Sequence, residues 1–413
     1  MTYNKQTCFW SPHSSFYTRH SFVVDGMKVL YIWFYSRSFP DYPKVAAVLR
    51  ERGHDAWVAN YDEAGNIVWY KGDALVATVP GPAKPPRTVA RIPGLRSLWN
   101  LMAFFRLMLR LRLFFRREQA DVVHVCPNAA RLVWLLPLGM PRHMRFVIDY
   151  RQIAQREGSG IISRLKSGYA NNLRTLYCRV FYDRATFLHA LGAEKVLGRN
   201  WKRWADVVPL AVDDPFLEFP HEAPRRAGEP VTFLYLGSIA RIRKLEQILA
   251  AARQVSATTD AFRLDFIGPD VADGYYHALV KEMGLTRFVR MLPPIPYDRV
   301  PETVAGYDVA LTIVPESPSD WQYQPTIKGV EYRALGIPVI ATNFAPNREL
   351  VENEVNGLLV DNTPDSIAAA MLRFVCEPSF REQARANAQA MRAGPTWDEV
   401  ATQYMDIYKS LVG

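Results

Sequence analysis

The chain has little cysteine and no long uninterrupted apolar run. Its 413 residues include four cysteines, which lie far apart without the short spacings of metal-binding or redox motifs. No run approaches the roughly 20 uncharged apolar residues that are needed to cross a bilayer. The first 26 residues lack the apolar stretch of a signal peptide, and we expect a poorly ordered extension there. These absences predict a reduced, cytoplasmic protein.

Acidic residues are missing from one segment of the chain. Between Ala74 and Arg117 there is no Asp or Glu. The same segment carries nine basic residues: Lys84, Arg87, Arg91, Arg96, Arg106, Arg110, Arg112, Arg116 and Arg117. The formal net charge of the whole chain is +9, so its basic character is local. A local excess of positive charge favours an anionic surface or partner.

Buried strand patterns alternate with helical patterns along both halves of the chain, which is typical of doubly wound α/β folds. The length suits two domains. We predict a first domain over residues 27–213, which ends in a strand at Asp206–Val212, and a second domain over residues 231–395. The proline-rich segment 214–230 is the predicted linker. A last helix within residues 396–413 is expected to return to the first domain.

The most informative motif lies within residues 324–342. A short helix is predicted after Pro325, with Lys328 in its first turn and Glu331 three residues later, and it ends at Gly336. A helix N-terminus presents unpaired backbone N–H groups and the positive end of the helix dipole, which suits a phosphate. Glu331 is placed to accept hydrogen bonds from a vicinal diol such as a ribose. An ordinary helix with a surface lysine and glutamate is the alternative.

A second motif follows the first strand of the second domain. Gly237 and Ser238 end this strand, and Arg241, Arg243 and Lys244 come directly after them. A glycine at the carboxyl end of a strand lets the backbone approach a ligand in the crevice where open α/β sheets bind. Fixed cations aimed at a departing diphosphate lower the barrier to breaking a nucleotide–sugar bond. The alternative is a solvated helix start.

Together these motifs resemble those of retaining glycosyltransferases of the GT-B architecture, the glycogen-synthase-like family (glycosyltransferase group 1, family 4). The resemblance implies an α/β fold of two Rossmann-like doubly wound domains that face each other across a cleft. It implies a UDP- or GDP-sugar as the donor substrate, no cofactor and no metal ion. It extends over roughly residues 205–410 and is weak before them.

The resemblance also implies roles for individual residues. Glu331 matches the acid that binds the ribose, and Lys244 matches the lysine that neutralises the diphosphate. Ser238 stands where the family usually has an arginine beside the strand-end glycine. Either Arg241 or Arg243 can substitute for that arginine, and both alternatives stay open at this point.

The donor site contains a second departure from the family. Eight residues before Glu331, where a glutamate usually meets the transferred sugar, this chain has Tyr323. Ile295 belongs to a proline-rich turn at the place where related enzymes hold the base through backbone contacts. The predicted donor-binding residues are Gly237, Ser238, Arg241, Ile295, Tyr323, Thr326, Ile327, Lys328 and Glu331.

The first domain departs further from the family. Residues 35–43 replace its usual glycine-rich loop, and the strand at 146–151 lacks the histidine that often faces the donor sugar. Asp149 and Arg151 are the best replacements, so Asp149 joins Lys244 and Arg243 as a predicted catalytic residue. A simple capping role for Asp149 is the alternative.

The segment Gly94–Arg117 combines many large apolar residues with six arginines. Arg106, Arg110 and Arg117 share one helical face by their spacing of four and seven. Such a helix can lie in a membrane interface, with its arginines toward anionic headgroups. We therefore predict that these three arginines, with Arg151, serve the acceptor or the membrane. A helix that is buried on one side, with solvated arginines, is the alternative.

These observations predict transfer of a hexose to a lipid-linked or polysaccharide-precursor acceptor, by an enzyme that is peripheral on the inner face of the membrane. A sugar-nucleotide epimerase or a phosphorylase of the same fold is one alternative, although an epimerase needs several cleft carboxylates and histidines. A nucleic-acid-binding protein that uses the arginine-rich segment is another. It leaves the second-domain motifs unexplained, so no nucleic-acid partner is predicted.

Overall fold

The computed structural model describes residues 26–34, 41–126, 132–151, 161–220, 228–316 and 321–413. Two predicted features fall largely outside these ranges. One is the N-terminal extension, of which only the last residue is described. The other is the loop that replaces the glycine-rich loop of the family, since residues 35–40 are not described.

The described strands of the first half form one eight-stranded sheet in the order β4-β3-β2-β1-β5-β6-β7-β8. Their bounds are β1 Lys28–Trp33, β2 Asp55–Tyr61, β3 Ile67–Lys71, β4 Ala74–Val79, β5 Val122–Cys126, β6 Arg145–Tyr150, β7 Arg184–Phe187 and β8 Ala205–Val207. Only β3 runs antiparallel to its neighbours, so β4 points in the same direction as β1 and β5. Five helices connect the strands: α1 Asp41–Glu51, α2 Arg87–Ala90, α3 Pro93–Glu118, α4 Ile161–Leu176 and α5 Ala190–Leu197.

The described strands of the second half form a six-stranded parallel sheet in the order β11-β10-β9-β12-β13-β14. Their bounds are β9 Val231–Leu236, β10 Phe262–Ile267, β11 Val289–Leu292, β12 Val309–Thr312, β13 Val339–Thr342 and β14 Gly357–Val360. The helices are α6 Asp214–Glu218, α7 Glu246–Thr258, α8 Tyr275–Glu282, α9 Val300–Ala305, α10 Ile327–Leu335, α11 Ala345–Arg348, α12 Pro364–Cys376, α13 Pro378–Ala390 and α14 Trp397–Val412. The predicted fold of two doubly wound α/β halves is confirmed.

The passage between the two sheets differs from the prediction. The strand expected at Asp206–Val212 ends at Val207, and Val212 instead forms an isolated bridge with Thr396, just before the last helix. Part of the segment expected to be a linker is the short helix α6, which has Pro215 in its first turn, where the absent N–H of proline costs nothing. Residues 221–227 of that segment lie outside the described residues.

Helix α14 crosses back onto the first sheet. A capping box starts the helix, because the Thr396 side chain accepts from the Glu399 N–H while the Glu399 carboxylate accepts from the Thr396 N–H. Tyr404 and Tyr408 are fully buried among residues of β1, β5 and α1. The end of the chain is therefore part of the core of the first domain.

Candidate active site

Helix α10 starts at the carboxyl edge of the second sheet. Thr326, rather than Pro325, is its N-cap, and its hydroxyl accepts a hydrogen bond from the Gly329 N–H at 3.3 Å. The same hydroxyl lies 3.0 Å from the hydroxyl of Thr312 at the end of β12. Ile327, the first helical residue, is exposed. The cap joins the start of the helix to the end of a central strand, which fixes where the free N–H groups point.

Lys328 lies in the first turn of α10 and is 7% exposed. Its Nζ lies 3.9 Å from the ring centre of Tyr235 in β9. Burial, together with the positive charge of Arg243, holds the pKa of Lys328 well below its usual range. The hydroxyl of Tyr235 is buried and has no hydrogen-bond partner among the described residues. A polar, anionic ligand at this position would pair with both groups.

The end of β9 keeps the crevice beside Tyr235 open. Gly237 has φ 144° and Gly268, at the end of neighbouring β10, has φ 154°. A Cβ atom on Gly268 would lie 2.1 Å from the Gly237 carbonyl oxygen, so a side chain does not fit there. Ser238 follows, half-buried. Both positions need glycine, and a ligand can approach the backbone at this edge.

The basic residues after β9 point in different directions. The guanidinium of Arg241 stacks 3.6 Å from the ring centre of Tyr275. That of Arg243 lies 4.1 Å from the ring centre of Trp321 and acts electrostatically on Lys328. Of the two arginines that sequence left open, Arg243 is the one beside the candidate phosphate position.

Lys244 is exposed and adopts a left-handed backbone with φ 49°. This conformation costs a non-glycine residue about 1 kcal/mol or more. It closes the short turn Arg241–Arg243 and redirects the chain into α7. Lys244 thus lies at the end of a basic turn that follows β9, where it is predicted to contact a diphosphate.

Glu331 is one turn further along α10 and is 4% exposed. Its carboxylate accepts a hydrogen bond of 2.9 Å from the hydroxyl of Tyr297. Burial raises the pKa of Glu331 to about 7, against the lowering effects of the Tyr297 hydrogen bond and of Lys44. The carboxylate is therefore poised to change its charge near neutral pH, and its hydrogen-bond partner is a side chain on the cleft side of the helix.

Tyr297 connects Glu331 to the first domain. The Nζ of Lys44 in α1 lies 4.9 Å from the Tyr297 ring centre and forms an ion pair of 2.7 Å with Asp213. The indole N–H of Trp397, the first residue of α14, also donates to Asp213. Through Tyr297, Glu331 thus contacts a network that includes Asp213 and Trp397. These two residues lie at the two places where the chain passes between the domains.

Two predicted donor residues lie at the edge of this cluster. The ring of Tyr323 packs against the core of the first domain, with the Nζ of Lys195 of α5 lying 5.0 Å from its centre. Ile295 is half-buried against the apolar cluster that includes α10. The structure brings Gly237, Arg243, Lys328 and Glu331 to one edge of the second sheet, whereas Tyr323 mainly contacts the opposite domain.

The structure contradicts the predicted placement of Asp149 in the cleft. Its side chain is 1% exposed, and both carboxylate oxygens are engaged by Tyr42, Thr186 and Arg151 at 2.7–3.0 Å. Burial alone would raise the pKa of Asp149, but Arg151 and the other partners hold it below its usual value. Arg151 is 2% exposed and also donates to the Tyr404 hydroxyl of α14. These two residues anchor the last helix rather than face a substrate.

The structure also divides the predicted arginine face of α3. Arg110 donates to the carbonyl oxygens of Pro80 and Gly81, and Arg117 pairs with Glu118 at the far end of the helix. Arg106 is exposed and has no hydrogen-bond or ion-pair partner within the described part of the chain. One helical face therefore holds three arginines in three different environments.

Three residues were missed from sequence. The sequence predicts Tyr235 only as part of a buried strand, although a tyrosine two residues before a strand-end glycine can indicate a residue of the binding site. Tyr297 lies just beyond the proline-rich turn. His189 follows β7 rather than β6; its Nε2 lies 2.9 Å from a carboxylate oxygen of Glu349 in the second domain.

Comparisons with known proteins relate the second domain by sequence, and nearly the whole chain by structure, to glycosyltransferases. Residues 218–391 match the family model described as glycosyl transferases group 1. The D-inositol 3-phosphate glycosyltransferase of Streptosporangium roseum is 25% identical over 185 residues, which cover 42% of this chain and 41% of the relative. The match thus spans less than half the length of that relative.

Solved structures match over nearly the whole chain. A glycosyltransferase from Rickettsia africae has a TM-score of 0.68 at 12% identity, with 94% of this chain and 99% of that chain covered. HepE from Anabaena in complex with UDP has a TM-score of 0.64 at 14% identity, with 93% and 100% covered. At these identities the likeness establishes the fold. We conclude that the chain has the GT-B fold and that its residues 218–391 are similar to the group 1 glycosyl transferases.

Proposed function

We propose that this protein is a retaining glycosyltransferase that moves a hexose from a nucleoside-diphosphate sugar to an acceptor. The observation that carries the proposal is the cluster of Lys328, Arg243 and the Tyr235 hydroxyl at the N-terminus of α10, one turn from Glu331. That hydroxyl has no hydrogen-bond partner among the described residues. A diphosphate fits the cationic end of this cluster. A ribose diol fits Glu331 once Tyr297 shares or releases the carboxylate.

The cations act on the leaving group. As the bond between the anomeric carbon and the diphosphate oxygen breaks, negative charge develops on the diphosphate, and Arg243, Lys244 and Lys328 stabilise it. The acceptor oxygen forms the new bond to the anomeric carbon from the same face, and its proton passes to the departing diphosphate oxygen. Because the charge is greatest in the transition state, these contacts lower the barrier more than they strengthen donor binding. The positive groups of the protein do this without a metal ion.

A lipid-linked or saccharide acceptor, held at the inner face of the membrane, is the second part of the proposal. Along α3 an exposed apolar stripe runs opposite the buried face: Leu98, Leu101, Phe105, Leu109 and Leu113. Unpartnered apolar stripes of this kind mark interaction surfaces. No helix within the described residues is long and apolar enough to span a membrane. The exposed apolar stripe of α3 therefore supports a peripheral contact with the membrane.

The proposal is tested by incubating the protein with UDP- and GDP-hexoses and following the products. It predicts release of UDP or GDP, with the hexose keeping the anomeric configuration of the donor. A changed sugar that remains attached to the nucleotide, without release of diphosphate, would support the epimerase alternative instead. Tight binding of an oligonucleotide with no binding of either nucleoside diphosphate, compared at two salt concentrations, would support a nucleic-acid-binding protein.

A further inference from the structure

A groove of about 290 Å³ lies beside the N-terminal half of α3. Its walls are Val89 of α2, the α3 residues Leu98, Trp99 and Met102, and the guanidinium of Arg106. The indole N–H of Trp99 donates to the Ala83 carbonyl oxygen at 2.9 Å, which ties α3 to the segment that precedes α2. The groove is therefore a built, concave surface. Its volume is at the lower end of the range of about 300–1,000 Å³ for ligand pockets, so it suits part of a ligand.

The topology places this groove at the cleft side of the first domain. Strand β4 ends at the carboxyl edge of the sheet, and α3 runs back antiparallel to β5, ending at Glu118 beside Lys28 at the amino edge. A helix of 26 residues is about 39 Å long, roughly twice the length of these strands. Burial of α3 begins only at Ala103. Its N-terminal half thus projects beyond the carboxyl edge.

The same carboxyl edge faces the second domain. Lys44, in the helix after β1, contacts Tyr297, and His189, just after β7, contacts Glu349. The groove is therefore on the side of the first sheet that looks toward the candidate donor site. Because helix α3 leads from the carboxyl end of β4 back to the amino end of β5, its projecting half lies on the cleft side of the sheet.

The charge around the groove is of one sign. Arg106 lines it and has no ion-pair partner among the described residues, and no acidic residue occurs between Ala74 and Arg117. Arg110, the other arginine of the lining, is already bonded to two backbone carbonyl oxygens. An apolar groove with a free guanidinium at its rim complements a hydrocarbon chain that carries an anionic phosphate head.

Building on the proposed function, we propose that this groove binds the acceptor itself, through the hydrocarbon chain next to a lipid phosphate, with Arg106 pairing with the phosphate. A bulk membrane would contact a different part of α3 from the groove. A bilayer surface meets the exposed α3 stripe at Leu109 and Leu113, two residues that lie outside the groove. A concave groove tied together by Trp99 encloses a single chain.

The test uses n-dodecyl phosphate, held below its micelle concentration, and equilibrium dialysis against the full-length protein. We expect saturable binding of one molecule, weakened at least tenfold by Arg106→Gln, which removes a charge-assisted hydrogen bond. Met102→Gln should weaken it several-fold by placing an amide in the apolar wall. The controls Arg117→Gln and Leu113→Gln replace an arginine and an exposed apolar residue of the same helix outside the groove, and they should shift binding less than twofold.

Two results would overturn the inference. One is no binding of monomeric dodecyl phosphate while vesicles that contain anionic lipid still bind, since this assigns α3 to bulk membrane. The other is an equal loss in the groove variants and their controls. Binding of UDP and GDP to the same preparations separates the two proposals. If a nucleotide binds but dodecyl phosphate does not, the groove assignment falls and the donor site stands; if dodecyl phosphate alone binds, the glycosyltransferase proposal falls, and the acceptor role of the groove falls with it.

Discussion

The two halves of this molecule differ in how their candidate functional groups are held. In the second domain the groups are placed by local backbone features: Gly237 at a positive φ, Thr326 as a helix cap and Gly336 with φ 68° as a helix end. In the first domain, Asp149 and Arg151 are placed by contacts with the last helix of the chain, more than 250 residues away. Local backbone features can be recognised from short sequence patterns, whereas contacts between distant segments of the chain cannot.

Among the substitutions that test this comparison, the largest loss of activity is expected at Arg243 of the second domain. Arg243→Ala should lower the rate of diphosphate release about 100-fold, because a preorganised positive group at the leaving oxygen is worth about 2.7–4 kcal/mol in the transition state. Arg241→Ala is the matched control, since that guanidinium stacks on Tyr275, and it should cost less than fivefold. Steady-state release of UDP or GDP measures both. Equal losses in the two variants would remove the distinction that the structure draws between them.

A smaller effect is expected on donor binding. Glu331→Ala should weaken the affinity for UDP or GDP by roughly 1.5–3 kcal/mol, because the ribose diol loses a charged hydrogen-bond acceptor. Glu302→Ala removes an exposed glutamate of the same domain that forms an exposed ion pair with Arg299, and it serves as the control. Calorimetric titration gives both affinities. An unchanged affinity for both nucleotides in a folded Glu331→Ala protein would rule out the ribose role.

The pKa of about 7 at Glu331 predicts a pH effect on stability. The folded-state pKa is above the usual value of 4.5, so between pH 4.5 and 7 the unfolded chain gives up this proton while the folded protein keeps it. The stability that the protonated carboxyl contributes is therefore present below pH 4.5 and is lost as the pH rises through 7. Glu331→Gln, which stays neutral, should gain roughly 3 kcal/mol over the wild type between pH 4.5 and pH 8.

Urea unfolding of both proteins at several pH values, without nucleotide, measures this difference. Glu302→Gln is the control, because it makes the same substitution at a solvent-exposed carboxylate of the same domain. A constant gap between Glu331→Gln and the wild type across this pH range would show that the carboxyl titrates normally. Glu331 would then not change its charge near neutral pH.

The fold was largely predictable, and the exceptions have physical causes. Parallel buried strands produce apolar runs between helical patterns, and these predicted both sheets. The antiparallel pair of β3 and β4 was missed, although the two-residue turn at Gly72 and Asp73, with φ 63° at the glycine, is a recognisable hairpin signal. The early end of β8 depends on the pairing of Val212 with Thr396, which no local pattern reveals.

The candidate site was predictable only in part. Lys328 and Glu331 follow from the helix start and end signals around them, and the structure places Lys328 beside Tyr235 of β9 and Glu331 beside Tyr297. The choice between Arg241 and Arg243 depends on which aromatic ring each one stacks against, Tyr275 or Trp321. Those rings come from distant segments of the chain. The burial of Asp149 and Arg151 was missed for the same reason, because their partners Tyr42, Thr186 and Tyr404 lie in distant segments of the chain.

The central claim is that a nucleoside diphosphate binds where α10 begins, and hydrogen exchange with and without UDP or GDP tests it most directly. Ligand binding slows the exchange of amides that it covers or stabilises. The account predicts that a saturating nucleotide protects residues 237–245 and 326–332, with no change in residues 93–106 of α3. Protection confined to α3, or no protection by either nucleotide at any concentration, would contradict it.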